Sequence, residues 1–237
     1  MKAKYVALDE AQPAAAVVVI DVLRAFTTVA WAFELGVRRV LAVDSRQRAL
    51  AVRDLLPQGT LIAGEDGGRR MEGFDLGNSP QELQTADLPG RDLVLRTSAG
   101  TQGLIRTTGS GVALAGSFVV ASATARALID AEVDEVEFII TGASLGRDGD
   151  EDLACAELIT ALTADASTDP GPYVERIATS DAGTSFLDDA KPWLPRDDFD
   201  LACEVDRFNF ALAARRDDAT DTIELIRTPH PTSTDNA

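Results

Sequence analysis

The sequence predicts an α/β fold, a mainly parallel sheet flanked by helices, with a C-terminal α/β subdomain. Val17-Val18-Val19-Ile20 is a β-branched run without a polar interruption, the pattern of a strand buried on both faces. Short apolar runs recur at 61–63, 93–97, 112–115 and 136–140, separated by segments of helical spacing, and such βα alternation implies parallel pairing under a cover of helices. At 237 residues with 45% hydrophobic content the chain can bury a substantial core, enough for one domain with an appended subdomain.

The elements follow in order. Ala25 to Leu35 has helical patterning with Gly36 as a stop, and Arg38 to Val43 reads as a strand ending at Asp44. Ser45 can cap a helix that runs to Leu56, ahead of Pro57. The strand at 61–63 opens into a Gly-rich loop from 64 to 80, long enough that a functional role outranks a plain connection. Strand 93–97, a short helix from Gly100, strand 112–115, a helix near Ser122 to Ala131, strand 136–140 and a helix from about Asp150 to Leu162 complete the core. The polar stretch Asp165 to Pro172 is the expected boundary. Residues 1–165 would form the core that carries the active-site motifs, and 166–237 a C-terminal subdomain and tail packed on it. A last strand is expected at Thr222 to Ile226, with Thr228 to Ala237 as a frayed tail.

Composition excludes several function classes. A formal charge of -17 repels phosphate backbones, so nucleic acid is not an expected partner. The carboxylates are 26 Asp to 13 Glu and the cations 19 Arg to 3 Lys, an acidic, Lys-poor surface suited to high salt, which points to a halophilic source. No run reaches the apolar length of a membrane span, and Met1-Lys2-Ala3-Lys4 leads into no secretory segment, so a cytoplasmic protein without membrane contact is expected. Cys155 and Cys203 sit in no CxxC motif and read as free thiols.

Three strands deliver polar groups at their C-terminal ends: Asp21 after the first, Glu65 after Leu61-Ile62-Ala63-Gly64, and Thr97-Ser98-Ala99-Gly100-Thr101 after Leu93-Val94-Leu95-Arg96. Ligands of open α/β sheets bind outside such ends, so one crevice could collect all three. The loop Glu72-Gly73-Phe74-Asp75-Leu76-Gly77-Asn78-Ser79-Pro80 adds a carboxylate, an amide and a hydroxyl among glycines that permit close approach, although the same residues would serve a surface turn. His230 is the only histidine and lies between prolines, which closes the routes through a Ser-His-Asp triad, a phosphohistidine or a His-rich zinc site. Neither cysteine is followed by the Arg of a cysteine phosphatase loop, and the glycine signatures of nucleotide binding are missing. Acid-only chemistry with hydroxyls and arginines remains, the donor set of a magnesium site, with Asp21, Glu65, Asp75 and Asp152 as candidate ligands. Asp21 would serve equally as a cap on the following helix, and Asp152 as a favourable charge at a helix N-terminus. Asp148 to Asp152 imitates a calcium loop, but Leu153 and Ile159 stand where that loop needs Gly and Glu.

Five motifs in this order carry a family resemblance: Ile-Asp-Val-Leu-Arg-Ala at 20–25, Ala-Gly-Glu at 63–65, Glu-Gly-Phe-Asp-Leu-Gly-Asn-Ser-Pro at 72–80, Gly-Ser-Phe at 116–118, and Glu-Asp-Leu-Ala-Cys-Ala at 151–156. The chain resembles the 2-phosphosulfolactate phosphatases, magnesium-dependent hydrolases of coenzyme M biosynthesis, from the first of these strands to about residue 160. The resemblance implies a Mg2+-dependent phosphomonoesterase acting on a small phosphorylated hydroxyacid, 2-phosphosulfolactate giving sulfolactate and phosphate, with a homodimer open as the assembly. It also selects Glu65 over a plain solvated loop carboxylate. Asp66, Ala99 and Glu157 depart from the residues usual at their positions (Arg, Asn and Gly), which weakens the case for a sulfonate-bearing substrate.

The residues implied for catalysis are Asp21, Arg24 and Glu65. Phosphate would be held by Thr97, Ser98, Gly100 and Thr101 at a strand-to-helix turn, with Asn78 and Ser79 beside it and Arg24 as a charge-assisted donor. Two routes stay open, attack by water and an aspartyl-phosphate on Asp21. A non-catalytic binder of small anionic metabolites would keep the same crevice. A partner protein that works through its acidic surface would not need it.

Overall fold

The computed structural model describes residues 1–144 and 146–229; His230 and the tail beyond it lie outside these. Among the described residues ten strands form one sheet: β1 (Lys2–Ala7), β2 (Ala16–Ile20), β3 (Arg39–Ala42), β4 (Leu61–Asp66), β5 (Arg69–Arg70), β6 (Asp92–Arg96), β7 (Val112–Gly116), β8 (Glu135–Ile140), β9 (Phe210–Asp217) and β10 (Thr222–Pro229). The helices are α1 (Ala25–Glu34), α2 (Arg46–Leu55), α3 (Pro80–Leu83), α4 (Gly100–Arg106), α5 (Ala121–Asp130), α6 (Asp150–Ala164), α7 (Gly171–Val174), α8 (Asp181–Phe186) and α9 (Arg196–Ala202). Spatial order in the sheet is β1-β8-β2-β7-β9-β10-β3-β6-β4-β5.

Two parallel sets make up most of it. The first is β1-β8-β2-β7 and the second β3-β6-β4. Between them stands the antiparallel hairpin β9-β10, which pairs antiparallel with β7 on one side and β3 on the other, so the two sets run in opposite directions. The expected boundary near residue 165 therefore does not mark a break in the sheet, because the C-terminal hairpin occupies its centre. The last strand extends to Pro229, taking in Thr228 and Pro229 that sequence assigns to the tail. β1, β5 and β9 have no counterpart in the sequence-based reading.

Burial on both faces follows from the β-branched runs. Val19 of β2 faces one apolar cluster with Leu93 and Leu95 of β6, while Val18 and Ile20 face a second cluster with Leu128 of α5 and Leu158 of α6. Val94 turns to a third cluster with Ala49 and Val52 of α2. Helices α1 and α4 fill the space between the sets: Phe26, Val29 and Leu104 join Val19 and Ile139 of the first set to Val40 and Leu95 of the second. Side chains this large and fully buried contribute about 1.5–3 kcal/mol each to the core. The sheet wraps around that shared layer, so strand ends that would point apart in a flat sheet converge. Ser45 caps α2 by accepting from Arg48 N at 3.2 Å, as its position before the helix suggests.

Candidate active site

The wrap brings the ends of β2, β4 and β6 to one cavity of about 560 Å³. Its carboxylates are Asp21, Glu65, Asp66, Glu151 and Asp152, and its cations Arg24, Arg96, Arg147 and Lys191. Asn78, Ser98 and Ala99 also line it.

Asp21 follows β2 and is 6% exposed; its Oδ1 accepts from the N–H of Ala25, the first residue of α1, at 2.9 Å, so it ties down the start of that helix as well as lining the cavity. Gly100 makes this possible. A Cβ there would lie 2.7 Å from Asp21 Oδ2 and 2.7 Å from Ala25 Cβ, a space no larger residue can use. Burial pushes the Asp21 carboxyl up to about 6, helped by the charge of Glu65 and opposed by Ala25 N–H, Arg147 and Gly100.

Glu65 is a tie between loops. Its Oε1 accepts from Ser98 N at 2.6 Å, and its Oε2 from Gly68 N at 2.7 Å and Ser98 Oγ at 3.2 Å. The Gly67-Gly68 turn between β4 and β5 needs positive φ at both residues, 57° and 81°, which glycine adopts without strain. Sequence reading takes this stretch as loop; the glycine pair between Glu65-Asp66 and Arg69-Arg70 is the signal for a hairpin.

Asp152, in the first turn of α6, is 1% exposed. Its Oδ1 accepts from Val22 N at 2.8 Å, and its Oδ2 from Gly142 N at 2.7 Å and Thr141 Oγ1 at 3.2 Å. Burial, then the charges of Glu151 and Asp21, hold its pKa well above the ordinary carboxylate range. Glu151 is 2% exposed and its Oε2 has no hydrogen-bond partner; burial is again the main cause of its raised pKa.

Arg24 is buried at the cavity wall. Nη1 meets Asp198 Oδ2 at 2.5 Å, Nη2 donates to Gly68 O at 2.9 Å, and the guanidinium lies 5.1 Å from the Phe186 ring centroid. Two of its five N–H groups are thereby used, leaving others for an anion. Asp198, in α9, also accepts from Ser79 Oγ at 2.8 Å and Gln81 N at 3.0 Å.

Several sequence-selected residues sit elsewhere. Asp75 is exposed and outside the cavity; its Oδ2 accepts from Ile62 N at 2.8 Å, which fastens the 72–80 loop beside β4. Thr97 and Thr101 are buried and satisfy one another: Thr101 N donates to Thr97 Oγ1 at 3.1 Å and Thr97 N to Thr101 Oγ1 at 3.0 Å. Of the 97–101 turn only Ser98 and Ala99 line the cavity. Ser79 caps α3 and braces Asp198, whereas Asn78 does line the cavity and leaves its Oδ1 without a partner. Ser117 of the Gly-Ser-Phe motif bonds Thr27 Oγ1 at 2.6 Å, and Gly116 admits Ile20, so that motif serves packing.

Sequence reasoning missed Glu151, Arg96, Arg147, Lys191 and Asp198. Arg96 and Glu151 stand next to selected residues, and adjacency was a usable signal. Asp198 gave none, since Arg196-Asp197-Asp198 reads as a solvated helix start.

Among the described residues no three His, Cys, Asp or Glu are grouped so that they could hold a metal ion by themselves. No helix among them is long and apolar enough to cross a membrane. Both cysteines are free, Cys155 buried and Cys203 half-buried.

Known proteins are similar to this chain. A protein of Bacillus subtilis named probable 2-phosphosulfolactate phosphatase is 27% identical over 215 residues, 90% of this chain and 93% of that protein. Like-named proteins of Carboxydothermus hydrogenoformans and Deinococcus radiodurans are 37% identical over 150 residues and 40% over 143. Those two matches take in 63% and 60% of this chain and 61% and 58% of the relatives, less than two thirds of their length. The profile of the 2-phosphosulpholactate phosphatase family matches residues 4–189, from within β1 through α8, and the chain belongs to that family.

Proposed function

We propose that the protein is a magnesium-dependent phosphomonoesterase whose substrate is a small phosphorylated hydroxyacid, 2-phosphosulfolactate being the first compound to try. The observation that carries this reading is the gathering of buried carboxylates and of arginines in one cavity: Asp21, Glu65, Glu151 and Asp152 with Arg24, Arg96 and Arg147. A phosphate dianion needs the cations, while a hard divalent ion needs oxygen donors and room for water. The donor set fits such an ion, being all oxygen, and Asn78 of the same lining has an unpartnered Oδ1. Asp21 and other carboxylates of the cavity would hold it. When bound, magnesium supplies charge neutralisation at the phosphoryl oxygens.

The chain's own groups do the rest. Arg24, fixed by Asp198 and Gly68 O, presents its remaining N–H groups to the phosphate. Arg96, anchored by donating to Glu65 O at 2.8 Å, and Arg147 add positive charge. Asp21 takes the proton of a water that attacks phosphorus while the P–O bond to the hydroxyacid breaks, or attacks phosphorus itself with the same bond breaking, water then hydrolysing the aspartyl-phosphate; in either case the hydroxyacid leaves as its alcohol with a proton from water, and both roles need the ionised carboxylate.

Phosphate release from a panel of phosphorylated hydroxyacids, with purified protein stripped of metal and then resupplied with Mg2+, is the test. Turnover that returns only with the metal is expected. Full turnover in excess chelator would remove the metal from this reading, and binding of the acids without phosphate release would make the protein a metabolite binder.

A further inference from the structure

Glu151 and Asp152 are adjacent carboxylates in the first turn of α6, both buried, yet they are engaged to different extents. Asp152 spends both oxygens on the protein, receiving Val22 N, Gly142 N and Thr141 Oγ1. Val22 follows Asp21, so Asp152 fixes the backbone that aims Asp21. Glu151, which lines the cavity, is less completely engaged: its own backbone N–H and the Ser180 side chain act on the carboxylate, but its buried Oε2 has no partner.

A buried, unsatisfied carboxylate oxygen costs about 1–3 kcal/mol or more, and like charges nearby increase the cost. The fold nevertheless keeps Glu151 in this place. A Cβ at Gly142 would lie 2.6 Å from Glu151 Oε1 and 3.1 Å from Asp152 Oδ2, so the bare glycine makes room for both carboxylates. Buried polar atoms left open at a cavity wall fit a ligand that completes them.

A positive ligand with a preference for oxygen fits. Arg147 lines the cavity and acts on both Asp21 and Glu151, but it is exposed and has no ion pair within 4.0 Å among the described residues. Asn78, another residue of the cavity lining, has a second buried acceptor without a partner, its Oδ1. A magnesium ion characteristically takes one or two carboxylates, accepts a carbonyl-type oxygen and keeps its remaining waters.

We infer that Glu151, together with Asp21, is the carboxylate pair that ligates the divalent cation, and that Asp152 is a positioning residue rather than a ligand. The inference rests on the metal requirement proposed above. It assigns a role to a residue that the sequence left at a helix terminus.

The test uses Mn2+ as the probe, titrated by electron paramagnetic resonance into the metal-free full-length protein, alongside melting curves in chelator. Glu151→Gln is expected to weaken Mn2+ binding by about tenfold or more while raising the metal-free melting temperature, because it removes an uncompensated buried charge. Asp152→Asn is expected to lower that temperature, since an amide NH2 would oppose a backbone N–H. If Glu151→Gln folds poorly, Glu151→Asp keeps the charge on a shorter arm and should weaken Mn2+ binding in its place. Wild-type Mn2+ affinity in Glu151→Gln, or in Glu151→Asp where that variant stands in, overturns the assignment while leaving metal-dependent phosphate release intact. Failure of the wild-type protein to bind Mn2+ at all overturns both.

Discussion

Arg24 and Asp198 form a buried ion pair across 174 residues of chain, Nη1 to Oδ2 at 2.5 Å with side-chain exposures of 4% and 0%. Burial raises the Asp198 carboxyl, while the Arg24 charge and the Gln81 and Ser79 donors pull it back. Breaking such a pair leaves the other charge unpaired, typically at a cost of 3–5 kcal/mol. Asp198→Ala should therefore lower the melting temperature by many degrees and raise KM for a phosphomonoester, because Arg24 loses its fixed orientation. A variant with native melting and native KM would show that Arg24 is placed without it.

A second expectation concerns Gly100. With Asp21 Oδ2 and Ala25 Cβ each 2.7 Å from the built Cβ, Gly100→Ala must displace the carboxylate or the start of α1. The expected result is a fall in kcat of more than about tenfold, since small misplacements of reacting groups are costly, with a stability loss of about 1–3 kcal/mol from overpacking. Unchanged kcat with unchanged melting would mean that α4 shifts freely, and the contact would lose its functional meaning.

Much of this was legible in the sequence, and the reasons are local. Asp21 and Glu65 were found because apolar runs end in them, and the βα order gave the parallel sets because each strand and its helix carry their own periodicity. The central hairpin was not. Phe210-Ala211-Leu212-Ala213-Ala214-Arg215-Arg216 mixes small and charged residues, with no strict alternation, because its two ends meet different partners, β7 and the edge with solvent. Asp75 misled because an Asp in a Gly-Asn-Ser loop looks the same whether it binds a cation or, as here, a neighbouring strand's N–H. Asp198 was invisible because its partners, Arg24 and Ser79, are far away in sequence and burial of a carboxylate is decided by them.

Acidity should move stability and activity in opposite directions. Asp21 titrates near 6 in the folded protein against an ordinary 3.8, so between those values the folded state binds more protons than the unfolded one. Stability from this residue is therefore greatest at the acid end and falls as pH rises through the window, by on the order of 3 kcal/mol. Activity also needs the carboxylate and so rises with pH, through a lower window than metal-free melting follows, because a cation held at Asp21 favours the ionised form. Metal-free melting and kcat/KM measured from about pH 4 to 8 on the wild type and Asp21→Asn check this. In the variant the contribution to the slope should vanish, with turnover lowered by orders of magnitude. A wild-type slope equal to that of Asp21→Asn would mean that Asp21 ionises as it does in water.

The last expectation concerns salt. A net charge of -17 is distributed over side chains such as Asp66, Asp87 and Asp218, which are 78%, 79% and 92% exposed. In dilute buffer the screening length is about 30 Å and these charges repel across the whole molecule; in molar salt it is about 3 Å and they do not. Salt also weakens exposed pairs such as Lys4–Glu137 and Arg216–Asp218, but each of these contributes only about 0–1 kcal/mol. The buried Arg24–Asp198 pair is shielded from ions by its surroundings and keeps its strength. Relief of repulsion should then dominate, and the melting temperature should climb from dilute buffer into molar potassium chloride, with phosphate release retained at the high end. A melting temperature that is flat or falls over that range would show that the acidic surface is not an adaptation to salt, and would leave the cavity and its chemistry untouched.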